Sequence, residues 1–246
     1  VVSWGVVTDA DGRLLRILGL LRGVGGDDDG NETRRLCVVA AEITGTTGAG
    51  IMIGGASGPH GSLCSTDERS ALIEDLQFTL GEGPGVDAHR FGRASIEPDL
   101  ADSALVRWAA FVPAAVAAGV RAVCSFPVRV GVVRLGALDL YRDRPGPLSD
   151  SQRADAFVLA DMAARAILAL RADPAPTGPA VAPDAEADFH LVVHQAAGMV
   201  SVQLAVSVPE ALVRLRAHAF AVGKPINDVA AAVVGRDLRF GSERPD

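Results

Sequence analysis

The chain has 246 residues, enough for one large or two small domains that each bury a core. Hydrophobic residues make up 49% and charged residues 22%, which excludes a disordered chain. The formal net charge of −7 excludes a generally basic nucleic-acid binder, so any such role rests on a local surface.

Within residues 1–32, an N-terminal extension, Leu14, Leu15, Leu18 and Leu21 predict one apolar helix face. Arg13, Arg16 and Arg22 break that run, which is too short to span a bilayer. Gly25 to Gly30 reads as a solvated acidic loop. A helix follows from Glu32 to Ile43, then strands at Ala49–Ile53 and Leu63–Thr66 around a turn. Asp67 caps a helix that runs to Phe78. Leu80 to Asp87 reads as a glycine-rich loop; it lacks the Lys-Ser/Thr of a phosphate loop. Next come a strand at Ala94–Glu97 and a helix over Ala104–Ala118, with Trp108 and Phe111 as anchors and Pro113 as a kink. Arg121–Val130 and Leu135–Tyr141 predict a hairpin turning at Gly131. Ser149 and Gln152 form a capping box for a helix that runs to Leu170.

Helices alternating with short strands and a hairpin predict an α+β layout, an antiparallel sheet with helices on its faces. The segments Leu80-Gly-Glu-Gly-Pro-Gly-Val-Asp-Ala88 and Leu135-Gly-Ala-Leu-Asp-Leu-Tyr141, followed by Pro147-Leu-Ser149, resemble a GAF domain of the kind found in actinobacterial GAF–ANTAR regulators. The resemblance covers residues 33–171. It implies a sensor fold and a small-molecule ligand, and names no cofactor.

Residues 172–187 are rich in proline and alanine and read as a semi-stiff linker. Beyond them, over 188–240, three short amphipathic helices are separated by two marked breaks. Ser207 and Glu210 make a capping box around Pro209, Gly223 ends the second helix, and Pro225 opens the third. The blocks Gln195-Ala196, Gly198-Met199, Glu210-Ala211, Leu215-Arg216, Ala219 and Asp228-Val229-Ala230 resemble an ANTAR domain, the RNA-binding antiterminator module of bacterial regulators. Ala197 and Leu212 stand where many members carry a basic and an aromatic residue. From Phe189 to Phe240 there are five Arg or Lys residues and three acids, a local balance of +2.

The resemblance implies RNA contact by Gln195, Ala196, Arg216 and His218. Small Ala196 would permit close backbone approach, Arg216 would pair a phosphate or stack, and His218 would stack on a loop base. Arg214 shares a helix face with His218, and Lys224 lies in the turn before the third helix. The bland alternatives are core filler for Ala196, a salt bridge to Glu210 or Asp228 for Arg216, and a plain exposed position for His218. The family binds tandem stem-loops, so a homodimer is implied, with the helix Ser151–Leu170 (Phe157, Ala160, Ala164, Ile167, Leu168) as its expected seam. The competing expectation is a sensory scaffold whose helical tail binds a protein.

Catalysis is not expected. His60 and His89 accompany no nucleophile motif, and Asp99 and Asp102 read as helix caps. Cys37, Cys64 and Cys124 show no metal spacing and are expected as buried reduced thiols of a cytoplasmic protein.

Overall fold

The computed structural model describes residues 9–23, 32–55, 58–102, 107–172 and 185–241. The acidic loop at Gly25–Gly30 and most of the linker lie outside the described residues. The helix α1 (Asp9–Gly23) is followed by α2 (Glu32–Thr44), β1 (Gly48–Gly55), β2 (Gly58–Ser65), α3 (Glu68–Leu80), α4 (Pro84–Phe91), β3 (Ser95–Glu97) and α5 (Phe111–Ala117). Then come β4 (Ala122–Val130), β5 (Val133–Arg142), α6 (Asp150–Ala172), α7 (Ala185–Leu204), α8 (Val208–Val222) and α9 (Ile226–Val234).

The strands form one five-stranded sheet in the order β2-β1-β5-β4-β3. Its pairings are all antiparallel. The β4–β5 hairpin turns at Gly131, whose φ of 58° suits a residue without Cβ. On one face, Ile51, Phe126, Leu138 and Leu140 pack against Leu36 and Ala40 of α2 and Leu159, Ala163 and Ile167 of α6. Period-2 alternation sends their neighbours to the other face, where Val123 and Tyr141 meet Ile73 of α3 and Phe111 of α5. The expected α+β layout, an antiparallel sheet flanked by helices, is the observed one.

Several expectations need correction. In α1 the buried side chain is Ile17, whereas Leu15 is exposed. Ile17 joins the core of the sheet, so α1, the part of the expected extension that the structure describes, is packed against it. Arg13 and Arg16 both pair with the buried Asp155 of α6, at 2.9 and 2.6 Å. The glycine-rich stretch is not all loop: Gly81 ends α3 in the left-handed conformation, and Pro84 starts α4. Proline at a first helical turn gives up an N–H that has no partner there. The helix expected over 104–118 is confined, among described residues, to α5; Trp108 has a φ of 54°, which interrupts it. Pro113 lies in the first turn of α5 and introduces no break. The expected linker ends early, because Ala185 already begins α7.

The thiol expectation also changes. Cys37 of α2 and Cys64 of β2 are joined by a disulfide. Only the fold reveals this pairing, since strand register sets Cys64 opposite Ile51, beneath α2. Cys124 remains a buried thiol whose pKa burial pushes up to about 11.

The last three helices share their own core. Val193, Ala196, Ala197 and Val200 of α7 meet Ala211, Leu212, Leu215 and Ala219 of α8 and Ile226, Val229, Ala230 and Val233 of α9. Phe78, from the last turn of α3, is part of the same cluster and is 1% exposed. No single helix among the described residues is long and apolar enough to cross a membrane.

Candidate ligand groove and nucleic-acid interface

Two places hold side chains with chemistry to offer. The first is an open groove of about 370 Å³ lined by Asp87, Phe91, Arg93, Ser95, Ile96 and Arg107. The start of α4 projects Asp87 toward it. That carboxylate accepts from Arg107 Nη2 at 2.6 Å and from the Trp108 indole N–H at 3.0 Å. The Arg107 guanidinium sits 4.3 Å from the Trp108 ring centre, a cation–π contact. Trp108 holds its positive φ, a conformation costing about 1–3 kcal/mol, because its indole is anchored to Asp87 and packed edge-on to Phe111. Arg93 and Arg107 give the groove two cations against one acid, a lining suited to an anionic small molecule.

Behind α4, beside the small apolar cluster of Met52, Val86, Ala88 and Ala137, lies a set of buried polar side chains. Gln77 donates its amide to Asp139 at 2.6 Å and accepts from the Gly85 N–H at 2.6 Å. Glu74 and Ser125 lie beside Asp139, which is 3% exposed. Burial raises the Asp139 pKa above the ordinary carboxylate range. Gly50 and Gly85 have no room for a Cβ; at Gly50 it would lie 2.5 Å from a Glu74 oxygen, and at Gly85 it would strike the Asp139 carboxylate. His89 of α4 bonds the Gly55 carbonyl at 3.0 Å. Among the described residues, no group of three His, Cys, Asp or Glu side chains is placed to hold a metal ion.

The second place is the bundle α7–α9, where the expected RNA residues part company. Gln195 is exposed on α7. Ala196 is fully buried, so the bland reading holds and it offers no contact surface. Ala197 and Leu212 are buried in the same core, so the two departures from the ANTAR pattern are packing positions in this chain. Arg214 is exposed and lies 3.5 Å from the Glu210 carboxylate, and only the Ser207 half of the capping box forms. His218 packs edge-on to Phe240, 5.2 Å between ring centres. Lys224 is exposed, ten residues from Arg214, or about 15 Å along a helix.

Arg216 does not face solvent freely. Its Nε and Nη2 donate to the Phe78 carbonyl at 3.0 and 2.6 Å, and its guanidinium lies 5.5 Å from the Phe78 ring centre. Burial, with Arg90 nearby, lowers its pKa to about 10, which leaves it charged at neutral pH. The expected salt bridge to Glu210 or Asp228 is replaced by a backbone acceptor in another part of the chain. Beside it, His194 of α7 bonds the His60 carbonyl of β2 at 2.9 Å and meets the Phe78 ring edge-on at 5.9 Å. Nothing local in the sequence marks Phe78 as this anchor, because its acceptor is a main-chain oxygen.

The expected dimer seam is also largely occupied. Ala160, Ala164 and Ile167 of α6 are buried against the sheet, leaving Phe157 and Leu168 partly exposed.

Comparison with solved structures identifies the sheet-and-helix part as a GAF-like fold. It is similar to the GAF domain of an Acinetobacter phosphoenolpyruvate-protein phosphotransferase, with a TM-score of 0.51 and 12% identity over 68% of this chain and 98% of that one. The corresponding GAF domain from Coxiella burnetii gives a TM-score of 0.49 at 14% identity, over 67% of this chain and 98% of that one. A GAF domain/HD domain protein from Geobacter sulfurreducens gives 0.39 at 16% identity, over 68% of this chain and 96% of that one. No protein-family model matches the sequence, and no curated protein matches it.

Proposed function

We propose that this chain is a non-catalytic, cytoplasmic RNA-binding antitermination regulator, in which the GAF-like domain senses a small anionic ligand and the three-helix bundle holds tandem stem-loops as a homodimer. The observation that carries the RNA reading is the packing of the ANTAR-like blocks. Ala196, Ala211, Leu215, Ala219, Val229 and Ala230, which set the spacing of that resemblance, all lie in one core. Their spacing is therefore the spacing of a fold rather than of scattered matches. Arg214, Lys224, Arg236 and Arg239 are exposed on that small unit. Cations presented to solvent are what phosphate contact requires. The groove beside α4, with Arg93 and Arg107, supports the ligand class.

A protein partner is the second reading. It is favoured by the exposed acids Glu210, Asp228 and Asp237, which among the described side chains of 191–241 offset three of the four exposed cations. The exposed Val213 and Phe220 of α8 favour it too. Replacing Arg214 and Lys224 together by Gln separates the two. RNA binding predicts a loss of about tenfold or more in affinity for a two-hairpin RNA, as two phosphate contacts go. A scaffold that ignores RNA shows no binding to lose.

A further inference from the structure

The contact between the two parts of the chain goes beyond packing. The last carbonyls of a helix have no partner within it, and the dipole concentrates negative charge there. Phe78 supplies such a carbonyl in the last turn of α3, and Arg216 takes it with two N–H groups. Gly81, the left-handed cap of the same turn, leaves space for the guanidinium; a Cβ there would lie 2.9 Å from Arg216 Nη1.

A carbonyl is a weak partner for a desolvated cation. A phosphate offers a full charge and the bidentate geometry that a guanidinium matches, so it competes for this side chain. Docking to the sensor and contact with an anion are thus mutually exclusive uses of Arg216. Two uses that exclude one another are coupled reciprocally.

The same turn is wired to the sensor interior. Gln77 precedes Phe78, and its amide joins Asp139 of β5 to the Gly85 N–H at the start of α4. Two residues further along, α4 carries Asp87, the acid of the groove. A ligand that shifts α4 therefore pulls on the turn that presents the Phe78 carbonyl.

We infer that the Phe78–Arg216 contact is an autoinhibitory latch, in which the sensor domain occupies an arginine needed for RNA and Gln77 couples the latch to the groove. This inference rests on the RNA reading given above. With the latch closed, the bundle presents Arg214, Lys224, Arg236 and Arg239 but not Arg216. Opening it adds a fifth cation and uncovers the surface around Phe78.

The test uses the full-length chain and two variants. Gly81→Ala keeps Arg216 but puts a methyl group against its guanidinium, at a backbone φ of 67°. Arg216→Lys keeps a cation and loses the paired donors. Circular dichroism confirms that each is folded. Hydrogen exchange over 208–222 and affinity for a two-hairpin RNA are then measured. The latch predicts faster exchange in both variants, and RNA binding by Gly81→Ala about tenfold tighter than by the wild type. Unchanged exchange in both variants overturns the latch alone. Faster exchange in Gly81→Ala with wild-type RNA affinity overturns its inhibitory role. Faster exchange with no RNA binding by any form overturns the RNA reading, and the inhibitory role with it.

Discussion

Gln77 and Asp139 lie 62 residues apart in sequence, and the amide of one donates to the carboxyl of the other at 2.6 Å in the interior of the GAF-like domain. Glu74 lies beside the same carboxyl. Two buried acids side by side cannot both be charged at low cost, so this cluster holds a proton.

That proton gives a pH dependence with a definite sign. Burial raises the folded-state pKa of Asp139 above its unfolded value, near 3.9. The folded protein therefore binds a proton that the unfolded chain releases. The contribution to stability is fully present below the unfolded pKa and is lost as pH rises toward the folded value. Asp139→Asn removes this cost, while its NH2 takes the place of the acid O–H. Thermal melts are expected to show the variant gaining roughly 3 °C or more at pH 7 and less at pH 4.5. An equal shift at both values contradicts a protonated Asp139.

At the groove, Asp87 serves as acceptor for both Arg107 and the Trp108 indole. Asp87→Ala is expected to cost about 1–2 kcal/mol in urea unfolding, because the largely buried indole N–H loses its partner. In a Trp4→Phe background the Trp108 emission should also move to longer wavelength as the ring loosens. Unchanged stability and emission would mean that Asp87 is not what holds Trp108.

The cysteines offer a direct count. Two of the three are paired, and Cys124 is buried with its pKa pushed up to about 11. A thiol so protonated and covered reacts slowly. A thiol reagent should find no fast-reacting group in the native, unreduced protein and one group per chain after denaturation without reductant. Three thiols on denaturation would contradict the Cys37–Cys64 pairing.

What the sequence discloses, and what it hides, follows from the range of each interaction. Asp67 as a cap, the Ser149–Gln152 box and the Gly131 turn are fixed by residues two or three apart, and all three form. The start of α4 was hidden by the glycines around it, although Gly81 and Gly83 are the cap residues of two adjoining helices. The Cys37–Cys64 bond depends on strand register, and the Arg216 partner is a backbone oxygen 138 residues away. Neither leaves a local mark. Ala196 shows the opposite limit: its place in the block pattern was visible, but its role is packing, as its full burial shows.

The most direct test of the central claim is a salt titration of full-length protein against a two-hairpin RNA. Four exposed cations on the bundle predict binding that weakens as salt rises, with log K falling against log salt at a slope of about −3. No binding at low salt, or binding with a slope near zero, would contradict it and direct the search to a protein partner.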